Sequence, residues 1–389
     1  MRIVQTVFGV YHHFELAREL RRRGHLTSVY STWPWARLQR EGLPRESVQT
    51  FPWLHVPEYL LHRFQVPVPG LTDALGHANA LAFDRWVERK LPAAGQVDAL
   101  IGISGSSLRA GTAVQRRGGV FVCDRGSTHP RVQERLMGEE YARWGVERRP
   151  ADMWDTVREE AIFVAAAAVV VPSTTAARSF LEMGIPAAKV KTIPFGVRLE
   201  SFAPVGEPPA DEFCVVFAGA VCLRKGVPYL LQAFAKLNHP RKKLRVVGPM
   251  QPDLKQVLGR LPTADVEFLG HLPQDKLAAV MSRSHVMVMP SIEEGLALVQ
   301  AQALACGCPV VCSEASGGTE LLTDGVEGFV VPIRDPEAIA ERLQRLADDP
   351  ELQTTMREAA ITRVRSMGGW ADYGERWEAL LQELLGRSG

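Results

Sequence analysis

Short runs of β-branched and other apolar residues alternate along the chain with longer amphipathic stretches. That pattern predicts repeated strand–helix–strand units, which build parallel sheets covered by helices on both faces. Arg2 to Val7 opens as a strand, and a loop around Gly9 follows. FELARELRRRGH then places Phe14, Ala17 and Leu20 on one helical face, with Gly24 as the stop before a strand at Leu26 to Ser31. Further strands are predicted at Ala99 to Ile103, Val120 to Cys123, Ala167 to Val171 and Val190 to Ile193, completing a doubly wound domain over residues 1–200. The rhythm breaks in LESFAPVGEPPADEF, rich in proline and acid, which places a linker at 201–212. A second doubly wound domain is expected over 213–368. Its strands fall at Cys214 to Ala218, Leu244 to Val247, Val266 to Phe268, Val286 to Met289, Val310 to Cys312 and Phe329 to Val331, with helices such as Val227 to Leu237 between them. In the tail, Trp370, Tyr373, Trp377, Leu380, Leu381 and Leu384 recur at helical spacing, so 369–389 reads as a packing helix. Sheets of this kind bind ligands off the carboxyl ends of their strands, so two facing domains would frame a cleft.

A chain of 389 residues is long enough for two such domains, and 46% hydrophobic with 23% charged residues excludes wholesale disorder. Forty-five Lys and Arg against 44 Asp and Glu give a net charge of +1, so no global field argues for nucleic-acid binding. The charge is uneven. Residues 1–205 carry 26 basic and 20 acidic side chains, leaving 19 and 24 for the remainder. Arg18, Arg21, Arg22 and Arg23 could meet an anionic membrane surface or a phosphorylated acceptor, although a solvated helix face is the commoner use of such a run. Six cysteines, Cys123, Cys214, Cys222, Cys306, Cys308 and Cys312, lack metal-site spacing and lie in apolar stretches, as buried thiols of a reducing compartment would. The start has no unbroken apolar core of the signal-peptide kind. The longest apolar run, Ala161 to Val171, falls well short of the roughly 20 residues that cross a bilayer as a helix. A cytoplasmic protein, peripheral on a membrane at most, is expected.

Two loops carry candidate chemistry. In FAGAVCLRKGVPYLLQA a strand ends at Gly219, and Arg224 and Lys225 stand before Gly226 and a helix. Glycine permits close backbone approach, and two cations suit a diphosphate, although an exposed Arg–Lys pair is most often only solvated. In VMVMPSIEEGLALVQAQALACGCPVVC a strand ends at Pro290–Ser291 and a helix is expected directly after Gly295, with Glu294 just before it. The amides of Leu296, Ala297 and Leu298 would then face an anion. Glu294 reads equally as a carboxylate favoured by the helix dipole.

The order G-x4-R-K-G, P-S-x2-E-G-L-x-L, A-C-G-x-P-V-V, S-G-G-x-E-L-x3-G-x2-G-F resembles the carboxyl-terminal half of glycosyltransferase family 4, retaining enzymes of GT-B fold with two Rossmann-like domains. The resemblance covers about 170 residues from Phe213, and PFGVRLESF is similar to the family's interdomain segment. It implies that Arg224 and Lys225 grip the diphosphate of a nucleotide-sugar, that Glu294 contacts sugar hydroxyls, and that Gly295 and the Leu296 to Leu298 amides hold phosphate and sugar. It further implies transfer to a carbohydrate or lipid-linked acceptor, in polysaccharide or glycolipid assembly, with no metal and no cofactor, by front-face attack in which the leaving phosphate takes the acceptor's proton. The terminal helix is expected to return to the first domain. Two positions depart from the family. Gln302 stands where a ribose-binding glutamate is usual, and an amide still offers one acceptor and two donors. Ala220 stands where many relatives have arginine. Gln302 keeps open a nucleotide-sugar binder without turnover, and the fold keeps open an enzyme of sucrose-synthase or phosphorylase type.

In the first half, VFVCDRGSTHPRVQERL ends a strand at Cys123 and continues with Asp124, Arg125, Ser127, Thr128 and His129. The resemblance implies a histidine near the transferred sugar, a place open to His129 or to Asp124–Arg125. The alternative is that Asp124 and Arg125 pair with each other while His129 precedes a helix begun at Pro130. Gly9, Tyr11, His12 and His13 lie at another strand end facing the cleft, where acceptor contacts or simple packing are both expected.

Overall fold

The computed structural model describes residues 1–64, 70–91 and 95–386. Among them, a seven-stranded sheet joins β1 (Ile3–Val7), β2 (Leu26–Ser31), β3 (Val48–Thr50), β4 (Ala99–Ile103), β5 (Val120–Asp124), β6 (Ala168–Val171) and β7 (Val190–Thr192) in the order β3-β2-β1-β4-β5-β6-β7. A six-stranded sheet joins β8 (Phe213–Ala218), β9 (Lys242–Val247), β10 (Val266–Gly270), β11 (Val286–Met289), β12 (Val310–Ser313) and β13 (Gly328–Val331) in the order β10-β9-β8-β11-β12-β13. All pairings are parallel, as helical crossovers on both faces require. Strand β3 has no counterpart in the expected set.

The central strands of the second sheet are apolar throughout because helices cover both sides. Every residue of β8, FCVVFA, is buried, and so is every residue of β11, VMVM. In each sheet the chain starts in the middle, builds one flank and then returns to build the other. The strand order therefore reverses between β1 and β4 and between β8 and β11, and the loops after those strands open on the cleft. No regular element spans the expected linker, which leads from the first sheet to Phe213.

Two features bind the halves together. The helix Gly369–Leu384 returns to the first sheet, where Tyr373, Trp377, Leu380 and Leu381 share a core with Ile3, Leu16, Leu20, Ile101 and Val122. Residues 387–389 of the expected terminal segment lie outside the described residues. The helix Pro130–Trp144 belongs to the first domain by sequence, yet Met137 on it and Val146 just beyond are part of the second domain's core. Its Glu140 is fully buried and accepts hydrogen bonds from Tyr229 Oη at 2.9 Å and Arg334 Nε at 2.8 Å.

Three of the four arginines of the basic cluster are committed internally. Arg18 pairs with Glu15 at 2.5 Å, Arg22 with Glu19 at 2.6 Å, and Arg23 with Glu378 of the terminal helix at 2.9 Å. Most of the cluster is thus engaged in local ion pairs, the commoner use of such a run, with Arg22 still largely exposed. Among the described residues no helix is long and apolar enough to cross a membrane. All six cysteines are buried and unpaired.

Candidate functional site

The loops after β8 and β11 are locked to each other. Gly226 has φ +66°, and a Cβ there would lie 1.9 Å from the Pro290 carbonyl oxygen, so only glycine fits between them. The Ile292 amide donates to the Arg224 carbonyl at 2.9 Å. That contact brings Arg224 and Lys225 onto Glu294: Arg224 Nη1 lies 3.2 Å from Glu294 Oε2, and Lys225 Nζ pairs with the same oxygen. Lys225 is 9% exposed, unusually little for a lysine. Burial alone would lower the pKa of Arg224, but the charges of Glu294 and Glu293 outweigh it and raise the value. Gly219, at the end of β8, passes so close to Gly248 that a Cβ on the latter would meet its carbonyl oxygen at 1.8 Å.

The expected helix after Gly295 starts later. It runs over Val299–Ala305, with Leu298 as its cap, because the Ala297 amide is taken by the Ser316 carbonyl at 3.1 Å. Ala297 therefore cannot offer its N–H to a ligand, and Leu296 and Ala297 lie outside any helix. Gly295 instead lies at a close approach of the two domains. A Cβ there would lie 2.0 Å from the Gly126 carbonyl oxygen, and its own carbonyl accepts from Ser173 Oγ at 2.7 Å. Leu298 and Gln302 line a cavity of about 340 Å³ together with Gln274, Glu15, Arg198 and Trp370.

The first-domain residues divide. His12 Nε2 lies 2.8 Å from Asp124 Oδ2, and His13 Nε2 lies 3.3 Å from the same oxygen. The His12 ring packs 4.3 Å from that of Phe195 and lies beside Gly126, at the domain junction. Burial would raise the pKa of Asp124, but His12 above all, by its charge and its hydrogen bond, holds it below its usual range. Burial holds His13 down at about 3, against the pull of Asp124, so it is neutral. Gly9, with φ +79°, is fixed through its amide to Thr32 Oγ1 at 3.1 Å, and Tyr11 is 58% exposed.

Asp124 and Arg125 do not pair with each other. Arg125 turns to Glu159 at 2.6 Å and to Gln133 Oε1 at 3.2 Å. His129 is not at the cleft surface. It is buried between Phe163 and Phe180 and caps the helix Pro130–Trp144, Nδ1 accepting from the Arg131 amide at 3.3 Å. Burial depresses its pKa to about 4. Its placement is that of a cap, which takes His129 out of the place beside a transferred sugar that the resemblance left open to it or to Asp124–Arg125.

Glu293 went unread in the sequence because the motif leaves its place unspecified. It is fully buried and reaches across the cleft to Ser127 Oγ at 2.5 Å, Thr128 Oγ1 at 2.7 Å and Gln133 Nε2 at 3.1 Å. Beside this bridge the domains enclose a cavity of about 820 Å³, whose lining includes Arg125, Gln133, Tyr141, Glu159, Arg224 and Asp253. About half of its lining residues are charged, and some of these, Arg125 with Glu159 and Arg148 with Glu134, are already paired. Two sets of side chains among the described residues bring metal-ligating atoms within 4.8 Å of one another: His12, His13 and Asp124, and His77, Asp152 and Asp155. Neither set includes a residue of the Arg224–Lys225 loop.

Comparison with known proteins agrees with this architecture. Residues 9–201 match the model of Glycosyltransferase Family 4, and residues 200–363 that of Glycosyl transferases group 1. The chain is 33% identical over 180 residues to alpha-D-kanosaminyltransferase of Streptomyces kanamyceticus, covering 45% of this chain and 46% of that protein. It is 30% identical over 224 residues to a D-inositol 3-phosphate glycosyltransferase of Kribbella flavida, covering 52% and 51%. The chain thus spans about half the length of the curated relatives it matches. Sucrose-phosphate synthase from Thermosynechococcus elongatus superposes with a TM-score of 0.70 at 21% identity over 100% of both chains. HepE of Anabaena, solved in complex with UDP, gives 0.69 at 16% identity over 98% of this chain and 100% of that one. These two share the fold. With the two family models together matching residues 9–363, the chain belongs to the family 4, group 1 glycosyltransferases, and its two facing α/β domains have the GT-B fold.

Proposed function

We propose that the protein is a retaining glycosyltransferase that moves a sugar from a nucleoside-diphosphate-sugar to a carbohydrate or lipid-linked acceptor. The observation that carries this reading is the convergence of Arg224 and Lys225 on Glu294 at the strand-order reversal of the second domain. The buried Lys225 and the partly exposed Arg224 there neutralise the charge that grows on a departing diphosphate. When a diphosphate takes those cations, the Glu294 carboxylate is released to accept hydrogen bonds from sugar hydroxyls.

Gln302, lining the adjoining cavity with Gln274, offers an amide to the ribose. The acceptor enters from the first-domain side, toward the large charged cavity and the His12–Asp124 pair. Its hydroxyl attacks the anomeric carbon on the face the diphosphate leaves; the C–O bond to phosphate breaks, and the hydroxyl proton passes to a phosphate oxygen. The protein cations take the place of a metal at the diphosphate. A cytoplasmic setting, in polysaccharide or glycolipid assembly, is in keeping with six unpaired buried thiols. HepE, a neighbour in fold, binds UDP in its complex, which favours uridine among the candidate donors.

A thermal-shift panel of UDP, GDP, ADP, TDP and their sugar conjugates tests the donor site. A ligand at 100 times its dissociation constant adds about 2.7 kcal/mol of stability. A shift with one nucleotide that disappears in Lys225→Ala is expected. No shift with any of them would sink the donor reading.

A further inference from the structure

Glu293 is a buried carboxylate whose partners come mainly from the other domain. Oε1 accepts from Ser127 Oγ and Thr128 Oγ1, and Oε2 accepts from Gln133 Nε2 at 3.1 Å and faces Arg224 Nη1 at 3.6 Å. Burial would raise its pKa, but the hydrogen bonds from Ser127 and Thr128, the Arg224 charge and the Gln133 amide hold it below the ordinary carboxylate range, so it is ionised. Arg224 in turn donates to the Glu293 carbonyl at 3.1 Å and reaches Glu294. On the far side, Gln133 accepts from Arg125, which is paired with Glu159. An unbroken line of polar contacts therefore runs from Glu159 and Arg125, through Gln133 and Glu293, to Arg224, Glu294 and Lys225.

A charge with no exposure must be answered by donors nearby. With Ser127, Thr128 and Gln133 in place, Glu293 takes three hydrogen bonds and leaves most of the Arg224 fork unclaimed. With those three withdrawn, Arg224 is the partner that remains among the described residues. A guanidinium that closes on Glu293 cannot also fork onto a phosphate. Resting on the donor reading above, we propose that Glu293 is a positioning residue that frees Arg224 for the donor diphosphate only while the loop after β5 of the first domain contacts it. Contact between the domains and affinity for the diphosphate are then one coupled equilibrium. Lys225 pairs with Glu294, and among the described residues no ion pair joins it to Glu293.

The test is calorimetric titration of the full chain with UDP, GDP and ADP, continued with whichever binds the unmodified protein most tightly. Ser127→Ala with Thr128→Val should weaken that nucleotide about tenfold, although neither residue belongs to the donor loop. Adding Glu293→Gln should restore affinity to within about threefold of the unmodified chain, because a neutral amide no longer draws Arg224 away. A merely structural role for Glu293 predicts the reverse, that the third substitution adds damage. Gln133→Ala, at a half-buried position, should give about a threefold loss and carries the test alone if the double variant does not fold. Folded variants that bind like the unmodified chain, or a triple variant with no recovery, overturn the inference while leaving the donor site intact. Failure of all three nucleotides with the unmodified chain, together with no thermal shift from TDP or any of the sugar conjugates, overturns the donor reading and this inference together.

Discussion

The loops of the second domain and those of the first present their polar residues in different ways. After β8 and β11, Arg224, Lys225 and Glu294 converge directly, each from a short loop pinned at Gly226 and Pro290. After β1 and β5, residues adjacent in sequence separate. His12 stays at the domain junction while Tyr11 faces solvent; Asp124 turns to the histidines while Arg125 turns to Glu159. His129 goes inward as a helix cap. A loop clamped to its neighbour by backbone contacts keeps its charges where a motif puts them. A loop whose side chains find partners more than a hundred residues away distributes them by tertiary contact.

If the second-domain loops carry the chemistry, Lys225→Ala should strike turnover and spare the fold. A preorganised donor aimed at developing charge is worth on the order of 2–4 kcal/mol in the transition state, so a fall of about thirtyfold to a thousandfold in kcat is expected from steady-state release of nucleoside diphosphate. The melting transition should move little, since the lost ion pair with Glu294 is replaced by the one Glu294 keeps with Arg224. Unchanged turnover would remove Lys225 from the site and dissolve the contrast.

His129→Asn probes the opposite behaviour, an effect on stability alone. The folded histidine titrates at about 4, well below its unfolded value near 6.5, because its ring is buried between Phe163 and Phe180. As pH falls from 6.5 toward 4 the unfolded chain takes up a proton that the folded chain refuses, so folding free energy is lost across that window. The loss from this one group is about 2 kcal/mol at pH 5. Asparagine keeps an acceptor for the Arg131 amide and does not titrate, so urea unfolding of the variant should weaken less between pH 7 and pH 5. His13 and His285, also depressed by burial, leave a residual slope of the same sign. A variant with an unchanged pH profile would return His129 to the list of groups whose role is open. One that loses turnover at pH 7 with its stability intact would put His129 at the chemistry after all.

What could be read from the sequence follows the same division. Twelve of the thirteen strands were expected, since alternation of apolar runs with helices is a local signal. The exception, β3, is only three residues long. The helix Leu71–Lys90 carries no such signal, because its inward face includes Asn79 and Asp84. Asp84 accepts from the amides of Arg109 and Ala110 at the start of another helix and pairs with Arg158 at 2.7 Å. A carboxylate satisfied inside the fold reads in the sequence as a polar, outward position. The donor-side cluster was legible because its residues stand in two short motifs. Glu293 was not, because its first-domain partners lie 160 to 166 residues away, and no spacing rule connects them. The late start of the helix at Val299 had a similar cause, a carbonyl at Ser316 that captures the Ala297 amide.

Gln302→Glu sharpens the comparison at the point where the second domain departs from its family. Gln302 sits on the helix Val299–Ala305, half-buried, in the cavity it shares with Leu298, Gln274, Glu15 and Arg198. A carboxylate accepts hydroxyl donors more strongly than an amide, but it loses hydration in the cavity and approaches Glu15, whose charge Arg18 and Arg198 already share. These effects oppose each other, with the shorter and stronger bonds to a ribose prevailing by a modest margin. Nucleotide affinity should therefore tighten by less than about tenfold, under roughly 1.4 kcal/mol, with kcat and the melting transition unmoved. That small effect in binding alone would place Gln302 at the nucleoside, away from both the reacting bond and the core. A loss of melting temperature would instead assign the amide a packing role, and a change in kcat would carry the chemistry beyond the Arg224–Lys225–Glu294 cluster into the helix that follows it.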